Sequence, residues 1–326
     1  MLTRRKVVAG VAGLVATNLV GTSQSASALT KVKKSGAKKP VAQAVTKTEP
    51  ALPNTLDSMV LNSPSKQVVF YAPHPDDELL SFGAIASEYV SLGYEVIYVL
   101  LTSGSTSTAI KLINGELNSP GNGTRFVYRG THNPASAGYR PLSVDDIGRA
   151  RVIEFKSSAG EMNVSPDHIY TFDLLKDNDL NLDDVTTAMS SIAAIYPQAM
   201  HWTMSTVDMH PHHRVAGEAL RIVAENLQLL TAFTISRTTW ESLAAERAKF
   251  NPNLPATYWF KPSPDRVQRI RNAALPYNAW NPQAGSYAVG YTSVPKQFED
   301  LDSKTDAQYA LMTPTLESVN PWIISN

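Results

Sequence analysis

The sequence predicts an α/β protein: a Rossmann-like, doubly wound, mostly parallel sheet with helices on both faces. Three observations carry that expectation. Short runs rich in β-branched and aromatic residues alternate with segments of helical apolar spacing. The first of these joints are short, as in a βαβ unit with a right-handed crossover. Two predicted strands are followed at once by histidines and carboxylates, and ligand sites in open α/β sheets lie at the carboxyl ends of strands.

The run 67-QVVFYA-72 reads as a buried strand. From Asp76 to Leu92 the apolar positions 79, 82, 85, 86, 89 and 90 keep a helical spacing, and Gly93 stands where a helix-ending glycine is common. A second strand follows in 94-YEVIYVLLTSG-104, completing the βαβ unit. The polar stretch 103–143, rich in Gly, Asn and Ser, is too long for a joint and reads as a loop that shapes a site. A helix is expected over 144–162 and a short strand over His168–Phe172. Asp183 or Asp184 is expected to cap a helix over 185–196. Then come a strand at 199-AMHWTMS-205 and a helix over VAGEALRIVAENLQLL, residues 215–230. Residues 240–326 read as mixed elements that complete the domain. The stretch 177-DNDLNLDD-184 alternates like a calcium loop but lacks its glycine and final glutamate, so a turn into a helix is expected instead.

The chain has 326 residues, 43% hydrophobic and 18% charged, which suits a soluble protein with a substantial core. Residues 1–28 read as a secretory signal peptide: Arg4-Arg5-Lys6, an apolar stretch Val7–Val20, and the small-residue pattern Ala26-Ser27-Ala28. The paired arginines and weakly apolar core resemble a twin-arginine signal, although Val7 and Val8 stand where Phe and Leu are usual. An exported bacterial protein, extracellular or associated with the cell envelope, is expected. Residues 29–60 read as a disordered basic linker; 29–50 hold six lysines and one glutamate. That composition suits a spacer, or a weak attachment to anionic envelope polymers. Residues 61–326 are expected to form a single domain. Without residues 1–28 the chain keeps 26 basic against 29 acidic residues, net −3, which argues against nucleic acid as a partner. No apolar run is long enough for stable membrane insertion. With no cysteine, thiolate metal sites and thiol nucleophiles are excluded, and any metal falls to His, Asp or Glu.

Two segments carry the chemistry. In 73-PHPDDE-78, His74 is followed by the adjacent carboxylates Asp76 and Asp77 where a strand meets a helix. In 208-DMHPHHR-214, three histidines stand in the same position. Histidine and carboxylate ligands suit zinc with one open position for water. His74 and Asp77 come from the first segment and His213 or His210 from the second. Asp76 is then free to take a proton from water. Taken singly, an aspartate near a helix start is most often a cap, and a histidine cluster is most often surface. Their matched placement at two strand ends is what favours a shared site.

These motifs resemble the LmbE/PIG-L family of zinc-dependent N-acetylglucosaminyl deacetylases. The segment 73-PHPDDE-78 is similar to the first family signature, 210-HPHH-213 to a His-Pro-Asp-His motif, and 151-RVIE-154 to a helical Arg-x-x-Glu. The similarity extends over residues 67–230. By position it implies that His74, Asp77 and His213 bind one zinc ion, that Asp76 is the general base, and that Arg151 lines the substrate pocket. His210 would polarise the oxyanion or protonate the leaving amine, and Asp177 would reach the substrate pocket. The implied reaction is attack of metal-bound hydroxide on the acetamide of an N-acetylglucosamine-type amino sugar or glycan. Its alternatives are a secreted zinc amidase on another N-acyl substrate, and an inactive metal- or glycan-binding relative. One departure stands out: His212 replaces the family aspartate, and Asp208 is the nearby carboxylate that could stand in for it beside His210.

Overall fold

A computed structural model describes residues 54–56, 63–116, 134–171, 175, 177–239, 241–242, 258–260, 262–303 and 310–312. All belong to one unit, Glu49–Asn326. The expected signal peptide lies outside the described residues, as do the expected linker except 54–56 and positions 117–133 of the long loop.

Eight strands form one sheet: β1 (Asn54–Leu56), β2 (Gln67–Ala72), β3 (Glu95–Leu100), β4 (Ile169–Thr171), β5 (Met200–Met204), β6 (Leu230–Thr234), β7 (Tyr258–Phe260) and, after a separate hairpin of β8 (Trp280–Asn281) and β9 (Ser286–Tyr287), β10 (Ala310–Met312). The order across the sheet is β1-β7-β10-β6-β5-β2-β3-β4. The five strands β6-β5-β2-β3-β4 are all parallel. Read along the chain their order is 3-2-1-4-5, that of a doubly wound nucleotide-binding sheet. The mostly parallel Rossmann-like sheet is therefore present, extended by β10, which runs antiparallel to both β6 and β7. Asn54–Leu56, inside the stretch expected as linker, pairs with β7.

The alternation of side chains along β2 explains the two layers. Val68, Phe70 and Ala72 face one core; Val69 and Tyr71 face the other. On the first face pack α1 (Asp77–Leu80), α2 (Gly83–Ser91) and α5 (Val144–Glu161), the last following the short helices α3 (Ala109–Ile113) and α4 (Pro134–Ala137). On the second pack α6 (Leu182–Ile195) and α7 (Pro211–Leu227). The helices α8 (Pro264–Ala274), α9 (Val289–Ser293) and α10 (Pro295–Ser303) complete the fold, α8 and α10 adding Ile270, Ala273, Phe298 and Leu301 to the first core.

Three local expectations are corrected. The helix predicted from Asp76 to Leu92 is two helices. The amides of Ser81 and Phe82 both donate to the Asp77 carbonyl, at 3.0 and 3.2 Å, and the second spans five residues and widens the turn. That turn sets Phe82 against Phe70, ring centroids 5.3 Å apart. The cap of α6 is Asn181, whose side chain accepts the Asp184 amide at 3.0 Å; Asp183 and Asp184 instead lie in the first turn, where the helix dipole favours them. Helix α7 begins at Pro211, upstream of the expected start, because proline suits the first helical position. This places His212 and His213 on the helix and His210 at its cap.

Candidate functional site

Strands β2 and β5 are neighbours, with Val68 opposite Met200 and Phe70 opposite Trp202. The chain leaves β2 for β3 on one side and reaches β5 on the other. The segments after β2 and β5 therefore meet at the topological switch point of the sheet. His74, Asp76 and Asp77 converge there with His210, His212 and His213 around a cleft of about 520 Å³. Arg151 and Asp177 also line it, so the seven residues expected to bind metal, substrate or protons reach one cavity, together with His212.

One oxygen organises the inner group. Asp77 Oδ2 accepts the His74 backbone amide at 3.0 Å, and lies 3.2 Å from His74 Nδ1 and 3.3 Å from His213 Nε2. One ligand atom from each of His74, Asp77 and His213 lies within 4.8 Å of the others. Behind His213, Asp208 Oδ1 stands 3.1 Å from Nδ1. Asp208 is itself held by the amides of His210 and Ser236, at 3.0 and 2.8 Å, and by the Thr239 hydroxyl at 2.8 Å. A carboxylate behind a histidine fixes which ring nitrogen faces the centre, an arrangement frequent around metals. Burial opposes charge on His213, yet Asp77 and Asp208 push its pKa up to about 10. Burial would raise Asp77, but His213 and His74 hold it well below the usual carboxylate range. The group thus attracts positive charge, and its nitrogen and oxygen donors fit a divalent ion such as zinc.

Asp76 stands beside this group on a strained backbone. Its φ is 110°, a region that costs a non-glycine residue roughly 1–3 kcal/mol. The Glu78 carboxylate accepts its amide at 2.9 Å, and Tyr277 donates to the other Glu78 oxygen at 2.5 Å. Arg151 Nη2 donates to Asp76 Oδ2 at 2.8 Å and to the Pro75 carbonyl at 2.5 Å, while Nη1 reaches the Gly104 carbonyl at 3.0 Å. Burial raises the Asp76 pKa to about 7, with Arg151 opposing and the Asp77 charge adding. A carboxyl near neutrality is suited to exchange a proton at neutral pH. One turn along α5 from Arg151, both Glu154 oxygens accept amides at the start of α9, from Val289 at 2.7 Å and Gly290 at 2.9 Å.

Asp177 accepts the Thr106 amide at 2.8 Å, the Thr106 hydroxyl, and the Thr102 hydroxyl at 2.9 Å. Burial works to raise its pKa, but these bonds and His74 hold it low. It thus anchors the start of the long loop at the cleft wall. His210 packs its ring 4.6 Å from that of His74 and 4.7 Å from that of His213. Burial, then the charges of His74 and His213, lower its pKa to about 4. Asp208 Oδ1 accepts the backbone amide of His210 and faces the His213 ring rather than the His210 ring, so it does not stand in for the missing aspartate beside His210. His212 Nδ1 lies 2.9 Å from His74 Nε2. Sequence reasoning missed the support given by Glu78, Tyr277, Gly104, Thr102 and Thr106. Apart from Glu78 inside the first motif, nothing local in the sequence marks them.

Fold and site together define an α/β protein with a His/Asp group of metal-ligand composition at the switch point of its sheet. Residues 69–224 match the family model of PIG-L, GlcNAc-PI de-N-acetylase, an LmbE-like domain. Comparison with curated proteins returns no match. Among solved structures, the chain resembles the antimicrobial reagent A40926 pseudoaglycone deacetylase Dbv21, with a TM-score of 0.52 and 14% identity, over 80% of this chain and 100% of that one. It also resembles a triple mutant of a deacetylase of the teicoplanin biosynthetic pathway, with a TM-score of 0.50 and 14% identity, over 76% of this chain and 95% of that one. At such identities these two likenesses speak to the fold.

Proposed function

We propose that the chain is an exported, zinc-dependent hydrolase that removes the acetyl group from an N-acetylglucosamine-type amino sugar or glycan. The observation that carries this reading is the meeting of His74, Asp77 and His213 at the switch point, with Asp76 held beside them by Arg151. The family match supports the acyl chemistry. Residues 1–28 support export, to the cell surface or beyond.

His74, Asp77 and His213 would hold the ion, which supplies Lewis acidity to the acyl oxygen and makes water more acidic near neutral pH. Asp76 receives the proton of the attacking water, its carboxyl turned to the cleft by Arg151. Arg151 keeps its position through the Gly104 and Pro75 carbonyls and so steadies the base. His210, exposed at the rim and packed edge-on against His74, donates to the oxygen that gains negative charge as the carbonyl is attacked. Collapse of the tetrahedral carbon breaks the C–N bond, and the proton held by Asp76 passes to the amine. Acetate and the free amino sugar leave. Thr106, Ser107, Thr108 and Asp177 offer hydroxyl and carboxylate partners to sugar hydroxyls along one wall.

The test is acetate release by the purified chain from a panel of N-acetylglucosamine compounds, with and without zinc, beside Asp76→Asn. The expected result is metal-dependent release that falls about 100- to 10,000-fold in the variant, with zinc binding retained. Zinc binding without release from any sugar would transfer the reading to another N-acyl substrate or to a binding role. Release unchanged in Asp76→Asn would remove Asp76 from the reaction.

A further inference from the structure

His212 gives the cleft a second set of ligands. One ring nitrogen from each of His74, His210 and His212 lies within 4.8 Å of the others. The three rings form a near-equilateral triangle, with centroids 4.6, 5.1 and 5.1 Å apart. His74 Nε2 and His212 Nδ1 are 2.9 Å apart, close to the roughly 3.3 Å expected between two nitrogens on one tetrahedral zinc. His74 is the hinge between the two sets: Nδ1 faces Asp77 and Nε2 faces His212. The family motif has aspartate at position 212, so the third imidazole gathered here belongs to this chain's own sequence.

We propose that His74, His210 and His212 form a second, weaker divalent-cation site at the rim of the cleft, sharing His74 with the inner group. Three physical features set its rank. The outer set contains no carboxylate, whereas the inner set has Asp77 as a ligand and Asp208 behind His213. It is less buried: His210 is exposed and His212 half-buried, so water competes. His210 and His212 also stand at the first turn of α7, whose dipole disfavours a cation. A neutral imidazole has one lone pair, so an ion bound outside draws His74 away from the inner group. It also occupies His210, which faces the substrate oxygen in the proposed reaction. Borderline-soft ions that accept three imidazoles, zinc or copper, are the class it takes.

The site is tested by binding, which needs no substrate and so stands or falls apart from the deacetylase reading. Asp77→Asn weakens the inner group and leaves the outer three histidines. Calorimetric titration with zinc should show one ion bound to Asp77→Asn, at least tenfold weaker than to the wild type. That binding should disappear in Asp77→Asn/His212→Asn. If Asp77→Asn binds no zinc, or if the double variant binds as tightly as the single one, the outer site does not exist. Circular dichroism checks folding; should Asp77→Asn unfold, His213→Gln alone and with His212→Asn gives the same comparison from the other end of the inner group.

Discussion

Gly104 turns through φ +61° directly beneath the guanidinium of Arg151. A methyl group there would run into that guanidinium, and the left-handed backbone would be strained as well. Gly104→Ala should therefore destabilise the fold by about 1–3 kcal/mol in urea unfolding. It should also lower kcat/KM at least tenfold by displacing Arg151 from Asp76. A variant with unchanged kinetics would mean that Arg151 does not steady the base. At this scale the sequence is informative only where function is packed into consecutive residues. His74, Asp76 and Asp77 are legible because metal-capable side chains crowd one strand end, and the three histidines at 210, 212 and 213 are legible for the same reason. Asp208 is different. Its meaning comes from reaching the His213 ring while Ser236 and Thr239, from the chain beyond β6, hold its carboxylate. No local spacing encodes that convergence.

Strand β5 carries a histidine whose role is structural. His201 is fully buried between Tyr71, whose hydroxyl lies 3.0 Å from Nδ1, and the Tyr196 carbonyl, 3.0 Å from Nε2. The carbonyl can only accept, so Nε2 carries the proton and Nδ1 accepts from Tyr71. Burial lowers the His201 pKa to about 4, against 6.5 for the free side chain. The unfolded chain therefore binds one more proton than the folded one between these values, and stability falls as pH drops through that window. The loss reaches roughly 3 kcal/mol at pH 4. His201→Gln should flatten this part of the stability curve in urea unfolding from pH 7 to pH 4, and an unaltered slope would assign the acid sensitivity elsewhere. Elements were legible where one periodicity dominates, as along β2 and β3. They blur where a side chain overrides the pattern: the apolar spacing of 79–90 is helical throughout, yet the double acceptance at the Asp77 carbonyl breaks it. The start of α7 was hidden because three histidines carry little helical preference, while Pro211 alone marks the first turn.

For the whole molecule, the consequence of the switch-point geometry is mechanical. His74 and His213 are distant in sequence and lie on opposite sides of the crevice where the sheet reverses direction, one after β2 and one after β5. An ion held by both, with Asp77, adds a tie between two loops that otherwise meet through strand pairing, the Asp77–His213 contact and the contacts of His74 with the three histidines. Binding to the folded state alone stabilises it by mass action, by about 2.7 kcal/mol at a hundred times the dissociation constant. In a domain of this size each kcal/mol shifts Tm by about 2–4 °C. Saturating zinc should therefore raise Tm by about 5–10 °C, and chelation should reverse it. Asp76→Asn should keep the shift, because Asp76 is outside the inner group, whereas His213→Gln should remove most of it. A Tm that ignores zinc, or a shift that survives His213→Gln undiminished, would place the ion away from the switch point and with it the proposed reaction.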